Sequence, residues 1–561
     1  MNSVDEMRAL DTGEIADGQQ VMVRGYHAGT DVGGGCFVWD SSSTEQENGG
    51  TIFAADDADE GRWKRVDVRK IDWRDFGINQ TTLSGEEFQA PFDYGIANGF
   101  REFVLPGHDM TLTGPVHLTI PDDVSESVSI VGDGKLSFEY PWGDEGRQRL
   151  FRIIGNGRTR ADVRLSLDGE GMGRYPDGLR VATGLRIDKT PSSTVRLHVE
   201  EIYGFGLRIH NSPGSDLHIT AINCDGQKVT KDPDTGAHDH YGDGIYVATT
   251  NVTLHSPVVT TENGGRGGIV FESFESRTSG TVLNPYVEGY DRGIHVEGGR
   301  TTSGNVLIDG GRIVDCNSGV WNFSSGGIVT CRGVSFENNR QVSQNVIASS
   351  VMAYVTTYER ASRTRTEACV FNANNHPAVS RAIFCGGSHV STGDLFRPGS
   401  GRIDTANARS FTISGFTANG NTRVEISNTE TARISSGTLG GNILLPNTNN
   451  YRIEDVTMRV PEGGTFCGII VSVNKKGGTI SNVEFQNPES YCIDNYRNQS
   501  GGVLPVYEAI TAIRRTPESS PRILRYQPGA NGSHNYTSSR PSYIVDEVAG
   551  GVTRIPPRIA E

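Results

Sequence analysis

Apolar and variable positions alternate in short runs along most of the chain. The clearest runs follow a glycine: GLRI at Gly184, GLRI at Gly206, GIYV at Gly244, GIVF at Gly268, GIHV at Gly293 and GVWN at Gly319. These glycines are 22, 38, 24, 25 and 26 residues apart, and self-similarity at such a period marks a solenoid whose units stack on one another. Within each phrase the period of two predicts a strand. Leu185 and Ile187, or Ile294 and Val296, face the core while the residue between them faces out. Turn chemistry rich in Gly, Asn, Ser and Thr follows, and then a second apolar run such as VRLHVEEI, VTLHSPVV or NVLIDGGRIV. Strands that pair in parallel with their equivalents one turn later form a parallel β-helix, for which a right-handed crossover is the default. The predicted fold class is therefore all-β: a right-handed parallel β-helix with a small N-terminal β domain and a C-terminal cap.

The flanks read differently. Residues 20–75 contain the runs QVMVRGYHAG, GGGCFVWD, GTIFAAD and GRWKRVD, separated by TDVGGG and SSSTEQENGG, which predicts a small β module with Tyr26, Phe37, Trp39, Phe53 and Trp63 as its core. Phe88, Phe92 and Ile96 recur at i, i+4, i+8, one face of a helix of about three turns, with Pro91 expected near its first turn. With the DFG segment before it and the strand REFVLPG after it, this helix resembles the entry of pectate-lyase-type β-helices, which implies that it caps a solenoid end that would otherwise expose backbone and core. Past Trp321 the repeat loosens, and residues 340–400 are hard to read. The expected divisions are 1–75 (β module), 76–120 (capping helix and first strands), 121–500 (β-helix) and 501–561 (cap or trimerisation segment).

Composition narrows the partners. With 52 basic and 67 acidic side chains the formal charge is −15, which speaks against nucleic acid. Collagen is excluded because the 71 glycines follow no Gly-X-Y period. The eight cysteines are scattered and form no C-x-x-C pair, so buried reduced thiols are expected, not a disulfide framework or a zinc site. The start MNSVDEMRAL lacks a secretory pattern, and no apolar run approaches a membrane span. Synthesis in a cytosol, with exit by a route such as cell lysis, is the expectation, and no cofactor is required.

The series RGYHAGTDVGGGCFVWDSSSTEQENGGTIF, GRWKRV and DWRDFG resembles the N-terminal module of bacteriophage tailspike and tail-fibre proteins, which precedes a pectate-lyase-like β-helix. Arg24, Asp31, Trp39 and Trp63 fall on its recurrent positions. The resemblance implies attachment to a phage tail or baseplate protein, a place at the tail tip of the virion, a homotrimer, and a host surface polysaccharide as target.

Stacked strands carry outward side chains in columns at roughly 4.8 Å intervals. Two positions after each glycine stand Arg186, Arg208, Tyr246, Val270, His295 and Trp321; four positions after it stand Asp188, His210, Ala248, Glu272, Glu297 and Phe323. Exposed rings, guanidinium groups and carboxylates in adjoining columns suit a saccharide site. Glu272 and Glu297 share a column on adjacent rungs, so their carboxyls are expected about 5 Å apart, as in a retaining glycosidase; Asp243 or Asp291 on a diagonal would suit an inverting one. The plainer reading is a ladder of like charges softened by Arg266, Arg292 or Arg300. The long turn between Gly206 and Gly244 carries His238, Asp239 and His240, which lack spaced metal ligands elsewhere. YGDGIYV resembles a polygalacturonase segment, but the next rung, NGGRGGIVF, lacks that family's acidic pair. Hydrolysis, β-elimination with His295 or Tyr246 as base and Arg208 or Arg292 on a uronate, and non-catalytic adhesion all stay open.

Overall fold

The computed structural model describes every residue except 142–146, 174–180, 226–241, 263, 274–276, 299–303, 325, 339–352, 358–360, 373–380, 421, 460–467, 473–476, 487–490, 497–505, 515–521, 527–542, 547–552, 556–558 and 561. Two compact units divide the chain, Met1–Thr253 and Leu254–Glu561.

The first unit opens with four short antiparallel strands, β1 (Gln20–Gly25), β2 (Gly33–Asp40), β3 (Ile52–Ala54) and β4 (Arg62–Arg65), in the order β1-β2-β4-β3. Trp39 lies opposite Trp63 in register with ring centroids 5.2 Å apart. Phe37 and Phe53 meet edge to face at 5.6 Å, and all four rings are buried. A short helix α1 (Val4–Arg8), N-capped by Ser3, adds Val4 and Met7 to this core. Five residues carry too little periodicity to betray it. Gly33, at φ +71°, sits where a Cβ would come within 1.9 Å of the Arg74 carbonyl oxygen, so only glycine lets the module close against the segment that follows.

That segment leads into helix α2 (Gly85–Ala97), which starts with a full capping box between Ser84 and Glu87. Phe88 and Phe92 are buried against Trp73, at centroid distances of 5.4 and 4.5 Å. Pro91 is not in the first turn as expected but is the seventh helical residue. It removes one interior N–H, and its ring is buried. The β module leans on this helix: Thr51 Oγ1 donates to Tyr94 Oη at 2.7 Å. Arg65 reaches Asp75 at 3.4 Å and donates to the carbonyls of Gly34 and Gly33 at 2.6 and 2.9 Å.

Beyond the helix the first unit is a parallel β-helix. One ladder runs through Val128–Phe138, Ala161–Asp168, Thr194–Glu200 and Asp216–Ile222. The other runs through Val116–Thr119, Arg147–Ile154, Val181–Asp188, Gly204–His210 and Asp243–Ala248. The second unit repeats the arrangement. Gly267–Ser273, Arg292–Gly298, Ser318–Phe323 and Ala353–Thr357 begin one ladder; Gly280–Leu283, Val306–Asp309, Ile328–Arg332 and Arg363–Glu367 begin another. A third, short ladder carries a column of core phenylalanines, Phe336, Phe371 and Phe396, stacked at 5.1 and 4.7 Å. Ser410–Ser414 and Thr417–Ala418 both pair with the single strand Thr431–Leu439, so two ladders merge and the rung shortens. Parallel pairing continues past residue 500, through Val506–Arg514 and Arg522–Tyr526. An antiparallel pair, Tyr543–Asp546 with Thr553–Ile555, ends one ladder.

The recurrent glycine has a packing cause. A Cβ on Gly184 would lie 2.7 Å from the carbonyl oxygen of Gly206, on Gly206 2.6 Å from that of Gly244, and on Gly293 2.7 Å from that of Gly319. Each phrase thus begins where one rung's backbone touches the next. Among the described residues the cysteines are free thiols, all buried except Cys36.

Candidate functional site

In the second unit Glu272 and Glu297 face each other in register on adjacent strands, as the spacing predicts. Their surroundings differ. Glu272, with 16% of its side chain exposed, meets Arg266 Nη2 at 3.4 Å. Glu297, 33% exposed, has Nε2 of His295 at 3.6 Å.

His295 is itself buried, 1% exposed. Its Nδ1 lies 3.0 Å from Nη1 of Arg292, and since a guanidinium only donates, Nδ1 accepts and the ring proton sits on Nε2, facing Glu297. Burial, reinforced by the Arg292 and Arg266 charges, holds this imidazole well below the usual histidine range, so it stays neutral. Arg292 also lies over the Trp321 ring at 4.9 Å and 3.6 Å from Asp291 Oδ2. Asp291 is buried, accepts from Asn317 Nδ2 at 3.0 Å, and has its carboxyl raised by burial.

In the first unit Arg208 lies over Tyr246 at 4.6 Å and over Phe205 at 5.1 Å, and donates from Nε to His210 Nε2 at 2.8 Å. His210 stacks on Tyr246 at 5.5 Å, and Asp243 is fully buried.

The registers Arg208↔Tyr246 and His295↔Trp321 follow the predicted columns. The exposure does not. Tyr246, His295 and Trp321, expected to be open to solvent, are all buried. In a column spaced at about 4.8 Å a large ring is covered by its neighbours above and below, and here arginines take the faces of Tyr246 and Trp321. Asp243 and Asp291 are likewise enclosed. His238, Asp239, His240 and Arg300 lie outside the described residues. Among the described residues no group of three or more His, Cys, Asp or Glu is arranged to hold a metal ion, and no helix is long and apolar enough to cross a membrane.

Two features escaped the sequence reading. Past Trp321 its column continues through Thr356 and Phe384 to Asp404 and Glu425, a second carboxylate pair in register. Arginines neutralise it: Arg381 is 2.8 Å and Arg402 3.2 Å from Asp404, and Arg423 is 2.8 Å from Glu425. In the first unit Arg152 stands directly below Arg186 and Arg208. The shared phrase FRI, LRI, LRI was the available signal.

Fold and side chains together define a parallel β-helix protein with outward columns of carboxylate, guanidinium and aromatic groups, preceded by a small antiparallel sheet. Residues 1–68 match the family model of the phage tail protein small four-stranded β-sheet domain. No curated protein matches the chain. Among solved structures, the tailspike protein gp49 from Acinetobacter baumannii bacteriophage Fri1, a capsular polysaccharide depolymerase, is 12% identical over 85% of this chain and 71% of that chain, with a TM-score of 0.36. The tailspike protein of Acinetobacter phage vB_ApiP_P1 is 14% identical over 74% of this chain and 70% of that one, at a TM-score of 0.41. Pantoea stewartii WceF, a glycan biofilm modifying enzyme with a tailspike-like parallel β-helix fold, is 17% identical over 63% of this chain at a TM-score of 0.31, and this chain spans 50% of it.

Proposed function

We propose that this chain is a phage tailspike that cleaves a bacterial surface polysaccharide (capsule, exopolysaccharide or O-antigen) by endo-acting hydrolysis, with Glu272 and Glu297 as the catalytic carboxylates. The observation that carries the reading is their register pairing in unlike surroundings. Two carboxyls one rung apart, about 5 Å, suit a double displacement with retention. Glu272, beside Arg266, is assigned as the nucleophile toward the anomeric carbon; Glu297, beside a neutral imidazole, is assigned as the proton donor to the glycosidic oxygen and later the base toward water. The family match of residues 1–68 supports a phage tail context, and the β module is proposed to attach the chain to the virion tail, with a homotrimer as the working assembly.

β-Elimination is disfavoured by the tautomer of His295, whose lone pair is engaged by Arg292 and whose free nitrogen already bears hydrogen. Purified host polysaccharide provides the test. Hydrolysis predicts falling chain length, no unsaturated ends and products of retained anomeric configuration. Glu272→Gln and Glu297→Gln should each lower turnover at least a hundredfold at unchanged Tm, since the amide keeps shape and loses ionisation. Unsaturated ends, or full activity in both variants, would overturn the assignment.

A further inference from the structure

We infer that the arginine column of the first unit, Arg152, Arg186 and Arg208, is a binding site for the carboxylates of an acidic glycan. The inference rests on the reading of this chain as directed at a polysaccharide, and it adds the substrate class.

The three arginines stand on consecutive strands in strict register, their backbones about 4.8 Å apart. His117 lies below Arg152 in the same column, its imidazole pushed down by burial and by the Arg152 charge. Arg208 is engaged by Tyr246, Phe205 and His210, and compensation is thinner at the two arginines below it. Asp188 pairs with Arg186 at 3.0 Å. Arg152 has no ion pair among the described residues, and its Nε, like that of Arg186, is buried without a hydrogen-bond partner there. Burial and the adjacent Arg186 charge disfavour its protonated form and outweigh the opposing pull of Asp188. Arg186 has only 17% of its side chain exposed, so this is no solvated surface ladder.

In a chain of net charge −15, a half-buried stack of like charges is unfavourable as built. It becomes favourable when oxyanions arrive between the groups. Arginine is the side chain whose planar fork meets a carboxylate through two parallel hydrogen bonds, which a lysine column would not do. The repeat distance is comparable with the length of one pyranose residue, so successive acidic sugars of a linear chain meet successive arginines. Free sulfate or phosphate shares the oxyanion chemistry but not the repetition.

The probe is a galacturonate tetrasaccharide, titrated calorimetrically into the full chain beside its methyl ester and sodium sulfate. The acid form should bind at least tenfold more tightly than the ester. Sulfate should compete only weakly at equal concentration. Arg152→Gln and Arg186→Gln should each weaken the acid form at least tenfold and flatten its salt dependence, while Arg152→Lys should keep the salt dependence and lose part of the affinity. Without ligand, Arg152→Gln should melt no lower than the parent, because it removes a repelled cation; a purely structural arginine would show a fall. Equal binding of acid and ester, no binding of either, undiminished binding in the Gln variants, or full competition by sulfate would overturn the inference. None of these readouts involves turnover, so failure of the Glu272 and Glu297 assignment leaves this result separately interpretable.

Discussion

A histidine whose lone pair is capped by Arg292 leaves its Nε2 hydrogen 3.6 Å from Glu297, placed to donate as the site tightens and not to act as a base, and substitution separates the two roles. His295→Gln, which still offers an N–H, should retain much of the turnover, whereas His295→Leu should lose ten- to a hundredfold in kcat with little change in KM; a base would be lost equally in both. The interior holds another depressed histidine, His389, pushed down to about 3 by burial. The unfolded chain takes up its proton near 6.5, so the native state binds fewer protons between those values. Its stabilising contribution is full above pH 6.5 and is lost as the pH falls toward 3. Asp394, linked to His389 through Thr366, has its carboxyl raised and works in the opposite direction. Thermal melts from pH 7 to pH 4 should therefore fall less steeply in His389→Asn than in the parent. At this scale the sequence was only half legible. Alternation along a strand tells that His295 and Trp321 leave the core side, and it says nothing of what lies over them. Arg152 was overlooked because its strand lacks the opening glycine.

At the scale of elements the glycine phrase was the most readable feature, and its cause lies one rung away. In Gly293→Ala the new Cβ meets Ile313 at 2.6 Å and the Gly319 carbonyl at 2.7 Å. Neither the carbonyl nor a core side chain can yield freely, so the substitution should cost about 1–3 kcal/mol, seen as a lowered Tm with the Glu272–Glu297 register as the nearest casualty. Ser84→Ala removes the capping hydroxyl of α2 and should cost about 1 kcal/mol. Register was legible because parallel strands repeat at the period of the phrase, which placed Glu272 opposite Glu297 before any coordinates. The position of Pro91 was not, since the helix start is set by the Ser84 and Glu87 box and not by the proline.

For the molecule as a whole, the β module announced itself through its aromatic runs, but its bonds to α2 are long-range and carry no periodic signature. Deleting residues 1–70 removes Thr51 from Tyr94 and Arg65 from the half-buried Asp75. The truncated chain should fold and keep the proposed polysaccharide activity, at a Tm several degrees lower; an inactive but well-folded truncation would tie the module to the chemistry. The stretch between Gly206 and Gly244 is 38 residues long where its neighbours are 22 to 26, yet Leu207 still pairs with Ile245 and Arg208 with Tyr246 without a slip. Strand pairing is thus indifferent to the length of chain between the paired strands. An insertion or deletion between two such strands therefore leaves the columns they carry at the same spacing. Length can thus vary along the chain without disturbing the grid on which the side chains are aligned.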